Sequence, residues 1–199
     1  MKNNYNVMKE EKIVYFETYK EQENTELLLD IVKEYCEKNN IKDLVIASTR
    51  GYTAKLAAQK FPADKYNVVF VTHVCWFGGS KQEFDETLRK ELEEKGYKVV
   101  TAAHAMSGID RAVGSKLGGH TPGSIIASTL RVFGEGMKVA LEIACMAADA
   151  GLIPIDKDVV AIAGTGRGAD TAVVLVPKTS RRFFDINVKK ILAKPLYRR

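Results

Sequence analysis

Short runs rich in valine and isoleucine alternate along this chain with stretches of helical periodicity, and that alternation restricts it to the α/β class. The runs fall at 13–17, 44–47, 68–72, 98–102 and 159–163. Each has the length of a strand, and the intervening stretches are long enough to bring the chain back in the same direction, so the strands pair mainly in parallel. Between the first two, Leu28, Ile31, Val32, Tyr35 and Cys36 share one helical face, which Asn39 and Asn40 end. Ser80 followed by Glu83 reads as a capping box opening a helix with the stripe Phe84, Leu88 and Leu92, stopped by Gly96. Thr121 and Pro122 read as the cap and first position of a helix reaching about Val132, after which Gly134 and Gly136 bracket a break. The helix that follows, ending near Gly151, is small or apolar nearly all round at Met137, Ala140, Leu141, Ala144, Met146 and Ala147. It is expected to be buried against the sheet or a second subunit. The last parallel run, 159–163, is joined to 172–176 by a glycine-rich turn too short for a crossover helix. The final strand therefore returns antiparallel and gives a mostly parallel mixed sheet an antiparallel edge.

At 199 residues, with no internal repeat and no linker, the chain is expected to be a single domain whose ends, 1–24 and 178–199, are extensions packed on it. A large multidomain enzyme is not expected. Glu142 and Asp149 interrupt the most apolar segment, so no run approaches the roughly 18 apolar residues of a membrane span. Lys2, Lys9, Glu10, Glu11 and Lys12 leave no apolar leader core, and a cytoplasmic protein is expected. Of the net charge of +5, the segment from Lys178 to Arg199 carries eight basic residues and one acid, so the excess is local. Phe183, Phe184, Ile186, Val188, Ile191 and Leu192 lie in that segment and predict docking rather than nucleic-acid binding. Cys36, Cys75 and Cys145 lack any C-x-x-C spacing, which excludes a disulfide framework or a zinc ribbon.

Ligands of open α/β sheets bind beyond the carboxyl ends of the strands, and those positions are chemically rich here. Ser48, Thr49, Arg50, Gly51, Tyr52 and Thr53 follow the second strand and lead straight into a helix. Hydroxyl donors, a glycine and a helix N-terminus together suit a phosphate, while Ser48 or Thr49 acting as an ordinary helix cap is the plain alternative. Thr72 and His73 follow the third strand, His104 the fourth, and Gly164, Thr165, Gly166, Arg167 and Gly168 the fifth. His120 precedes another helix N-terminus. Arg50 and Arg167 would face one crevice, which favours a phosphate or carboxylate ligand. His73, His104, His120 and Lys138 are the candidate acid/base groups, Lys138 standing beside Glu135 and Glu142. A zinc site from His73, Cys75, His104 and His120 is disfavoured because Cys75 runs into apolar Trp76 and Phe77, and no metal is expected. The absence of a G-x-S-x-G elbow argues against a serine hydrolase.

The segment from Leu44 through Ser48, Thr49, Arg50, Gly51, Tyr52, Thr53 and Ala54 to Phe61 and Pro62, with the strand 68–73 after it, resembles the C-terminal domain of pyruvate kinase. The hairpin through Gly164–Thr171 into Val173 and Val174 resembles that domain's last two strands. The resemblance implies a three-layer α/β sandwich in which the strand ending at Ser48 lies beside the one ending at Gly164. Both loops would then border one crevice, which in the kinase takes the phosphates of a sugar-bisphosphate effector. Arg50 and Tyr52 depart from the kinase's usual hydroxyl and basic residues, so that effector does not carry over, and the kinase's catalytic barrel is absent. With Gly134, Glu135, Gly136, Met137, Lys138 and the 183–195 tail, the chain looks like the stand-alone pyruvate-kinase-C-terminal-like proteins of archaeal type. That likeness implies a phosphorylated small-molecule ligand, with flavin mononucleotide (FMN) the named nucleotide, while a homo-oligomer is an expectation from the apolar circumference of the helix ending near Gly151. Trp76, Phe77 and Tyr52 are the candidate stacking partners for its ring. An enzyme acting on a phosphorylated metabolite through a cleft histidine is the alternative.

Overall fold

The computed structural model describes residues 12–17 and 21–197; Lys2, Lys9, Glu10, Glu11, Arg198 and Arg199 lie outside the described residues. The elements in chain order are β1 (Val14–Phe16), α1 (Glu21–Asn39), β2 (Asp43–Ala47), α2 (Tyr52–Lys60), β3 (Asn67–Val71), α3 (Glu86–Glu94) and β4 (Lys98–Val100). They continue with α4 (Ile109–Leu117), α5 (Pro122–Leu130), α6 (Glu135–Asp149), β5 (Val159–Ala163), β6 (Thr171–Val176) and β7 (Asn187–Pro195). One seven-stranded sheet runs in the order β1-β7-β6-β5-β2-β3-β4. All neighbouring pairs are parallel except those made by β6, which is antiparallel to both β5 and β7.

Alternation along the strands builds two cores. Leu44, Ile46, Val68, Phe70, Val160 and Ile162 face α1, α2 and α3, against Leu28, Val32, Ala57, Phe61 and Leu88. Val45, Val69, Val159, Ala161 and Val173 face α6 on the other side, with Ile143, Met146 and Ala140. The three layers are thus helices, sheet, helices. Helix α6 is buried over most of its length against β2, β5 and β6, which explains its small, apolar circumference.

The expected strands and the neighbouring placement of β2 and β5 are present. Four features differ from the sequence reading. The antiparallel strand β6 is covered on its outer side by β7, so it lies inside the sheet; β7 escaped notice because Asn187, Lys189, Lys190 and Lys194 break the apolar run that marked the others. Phe184, expected to dock, is 84% exposed, whereas Leu192 and Ala193 carry the packing of that segment. Helix α3 starts after Asp85, whose carboxylate accepts the Leu88 N–H at 2.7 Å, not at Ser80. Gly136 lies within α6 rather than at a break, and a β-carbon there would sit 2.2 Å from Thr171 Oγ1, so glycine lets the helix close on β6.

Candidate functional site

Beyond the carboxyl ends of β2, β3, β4 and β5 lies a cavity of about 970 Å³. Its walls are the 48–50 loop with the first turn of α2, the residues after β3 and β4, the inner faces of α4, α5 and α6, and the Gly164–Gly168 loop. Ser48, Thr49, Arg50, Tyr52, Thr53, Thr72, His73, His104, Lys138 and the residues 164–168 all line it. The parallel register of β2 with β3 and β5 is what gathers these loops at one rim.

Each side chain of the first loop has a local cause for its place. Ser48 is buried, and its Oγ accepts the Ala54 N–H at 3.2 Å, so it does cap α2. The amides of Tyr52 and Thr53, in the first turn of that helix, have no carbonyl one turn back to reach. Gly51 adopts φ 98°, and a β-carbon on it would lie 2.3 Å from Leu88 Cδ2. Glycine there serves the turn and the packing of α3, and it does not line the cavity, contrary to its expected place at the phosphate. The Arg50 side chain is 78% exposed and reaches Glu83 Oε1 at 3.5 Å. Across the opening, Arg167 stacks 5.9 Å above the Tyr52 ring. Its glycine-rich loop is pinned by buried Asp170, which accepts the Thr165 N–H at 2.9 Å and the Thr171 hydroxyl at 2.7 Å.

The two cavity histidines are held differently. His73 Nδ1 lies 3.0 Å from Glu83 Oε2, and because a carboxylate only accepts, Nδ1 carries the proton. Nε2 then faces the Thr49 hydroxyl at 3.4 Å. Gln82 Oε1 in turn accepts the Glu83 N–H at 2.8 Å and so fixes that carboxylate's backbone. His104 Nε2 accepts the Val74 N–H at 3.3 Å, which places the proton on Nδ1, toward Ser107 Oγ at 3.3 Å. Burial holds the His104 imidazole below its ordinary pKa, Glu142 opposes that shift, and His73, Lys138 and Arg111 reinforce it. The neutral form agrees with its role as acceptor. Phe77 packs on His73 with centroids 4.2 Å apart, and the two imidazoles are 5.5 Å apart.

Deeper in, Lys138 and Glu142 form a buried ion pair, and the other Glu142 oxygen accepts the Met106 N–H at 3.0 Å. Glu135 instead pairs with Arg131 at 2.7 Å. His120 is not part of the cavity wall, nor is Trp76, which is 67% exposed and so does not serve as a stacking wall. Cys75 is exposed, while burial pushes the Cys36 and Cys145 thiols up to about 12. Among the described residues no group of three histidine, cysteine or carboxylate side chains is placed to hold a metal ion.

Sequence reasoning missed Glu83, which a capping-box pattern concealed, and Arg111 and Asp110, which lie on a helix whose lack of buried residues gave no apolar stripe. Lys55 and Arg131 also escaped it, although Lys55 follows the phosphate-type loop by two residues. Arg50, Lys55, Arg111, Arg131, Lys138 and Arg167 thus border the cavity against the carboxylates of Glu83, Asp110 and Glu142. The excess of cations suits an anionic ligand.

Residues 26–175, from within α1 through β6, match the family described as pyruvate kinase, alpha/beta domain. Within that span β6 is the last strand, and β7 with β1 extends the sheet beyond it. The chain therefore belongs to the pyruvate kinase alpha/beta domain family.

Proposed function

We propose that the protein binds or senses a phosphorylated small molecule in this cavity, with the phosphate at 48–53 and FMN as the named candidate. The observation that carries the reading is that Arg50, just before the nine-residue helix α2, Lys55, within it, and Arg167, 5.9 Å over the ring of its first residue Tyr52, all line one cavity. A volume of about 970 Å³ lies within the range of small-molecule sites and admits a nucleotide. Phe77 and Tyr52 offer aromatic faces for a flavin ring, whose bound form would supply one- and two-electron chemistry. The protein is expected to quench FMN fluorescence on titration, with riboflavin binding at least tenfold more weakly. Equal affinity for the two would remove the phosphate from the 48–53 loop.

A second reading, an enzyme acting on a phosphorylated metabolite, is favoured by one observation. His73 is oriented by a carboxylate on Nδ1 and presents Nε2 to the cavity, the arrangement a general base requires. His104 has its Nε2 occupied by a backbone N–H. Turnover in a pool of phosphorylated metabolites, present in wild type and lost in His73→Gln, would establish it; binding without turnover supports the first reading.

A further inference from the structure

Glu83, His73 and Thr49 stand in series, carboxylate to imidazole to hydroxyl, at 3.0 and 3.4 Å. We propose that this is a nucleophilic relay in which Thr49 accepts a phosphoryl group from a phosphate monoester. The inference rests on the phosphate-binding reading of the same loop. Of the hydroxyls there, Ser48 caps α2, Thr72 is engaged with Thr101 at 2.7 Å and with the His73 carbonyl at 2.9 Å, and Thr53 is buried. Of the hydroxyls in this loop Thr49 alone faces an imidazole nitrogen, and Ser107 meets His104 only at Nδ1, which carries that ring's proton and so offers no base. Its 3.4 Å separation is at the long end of hydrogen bonding, as is common between nucleophile and base before substrate binds.

The chemistry closes with water as the only co-reactant. Thr49 Oγ1 bonds to phosphorus while its proton passes to His73 Nε2, and the ester P–O bond in line with it breaks; the departing alkoxide takes a proton from water and leaves as an alcohol. The hydroxide so formed attacks the phosphothreonine, the P–Oγ1 bond breaks as His73 Nε2 returns its proton to Thr49, and inorganic phosphate is released. Glu83 touches no substrate and is a positioning residue, holding the Nδ1–H so that Nε2 remains the base. Arg50 and Arg167 both line the cavity, where they can offset the charge of the transferring group.

Diisopropyl fluorophosphate tests the relay directly, since a reactive hydroxyl displaces its fluoride and retains the phosphoryl group. One adduct per chain is expected by intact mass, mapped to Thr49, absent in Thr49→Val and restored in Thr49→Ser. His73→Gln should slow labelling by roughly 10² or more. Glu83→Gln should lower the maximal labelling rate at least tenfold, with the half-saturating probe concentration unchanged. An unlabelled wild type, an adduct on another residue, or labelling indifferent to His73→Gln would overturn the relay. The two readings fail separately: FMN binding without an adduct sinks the relay alone, whereas a Thr49 adduct that neither FMN nor inorganic phosphate protects removes the phosphate site.

Discussion

Arg50 is the residue whose removal best separates ligand binding from stability. Its guanidinium is mostly in solvent and its contact with Glu83 is long, so the fold loses almost nothing in Arg50→Ala. A charge-assisted contact to a phosphate contributes about 1.5–3 kcal/mol, so the variant should bind FMN roughly tenfold to a hundredfold more weakly at unchanged melting temperature. Calorimetric titration beside a thermal melt checks both halves, and normal binding would move the anion to the Gly166–Gly168 loop. His104 makes a second prediction. Its folded pKa lies below the ordinary 6.5, so the unfolded chain takes up the proton first as pH falls. Its contribution costs nothing above that value, and below it stability is lost until the folded imidazole protonates as well. His104→Gln should flatten the melting temperature against pH in that window. The cysteines make a third, since Cys75 is exposed and the other two thiols are buried and held protonated to about 12. One equivalent of thiol reagent should react with the native protein and three after denaturation. Arg50, Arg167 and His73 were legible because strand ends locate ligands in this fold class. Glu83 was not, because an acid three residues after a serine has a local meaning that hides a tertiary one.

At the scale of the element, helix positions were read from apolar stripes and therefore as well as those stripes allowed. Helix α5 announced itself through Thr121 and Pro122, and the capping box there is real, with the Thr121 and Ser124 side chains each accepting the other's backbone N–H. Helix α4 has no buried residue, so nothing in its pattern distinguished it from loop. The start of α3 was displaced because the cap is Asp85, whereas Ser80 Oγ turns to the Gln82 carbonyl. The junction of α2 and α3 carries the prediction that belongs here. Any side chain at Gly51 meets Leu88, and a β-branched one also resists φ 98°. Gly51→Val is thus expected to destabilise the fold by about 1–3 kcal/mol, from strain and overpacking together, and to weaken ligand binding only as a consequence. Gly51→Ala and Leu88→Ala should be non-additive, the double variant losing less than the sum of the two single ones, because the smaller residue at 88 removes the clash and leaves only the strain and its own cavity. A Gly51→Val protein of normal melting temperature that fails to bind FMN would instead return the glycine to the ligand site.

On the scale of the whole molecule, the sheet is continuous from β1 to β4, and the segment beyond the family match is structural to it. Strand β7 joins β6 to β1, and β1 has no other strand partner among the described residues. Three of the segment's eight basic residues are engaged by this packing: Lys189 pairs with Asp158 at 2.6 Å, Lys190 lies over the Tyr35 ring and Lys194 over that of Tyr15. A nucleic-acid surface would leave such lysines extended toward solvent phosphates, and its affinity would fall steeply with salt through counterion release. Packing against aromatic rings is far less sensitive to salt. Removing 183–199 would take away β7, orphan β1, expose the whole outer edge of β6 and uncover Ala172 and Val174, which now lie buried. Because an open edge with apolar faces templates strand pairing, the truncated chain is expected to aggregate or melt well below the intact one. The intact chain should show no RNA or DNA retention that disappears between low and moderate salt. A truncated protein that is monomeric with an unchanged melting temperature, together with a full-length chain that releases nucleic acid in proportion to added salt, would mean that the tail is a binding arm and that the sheet ends at β6.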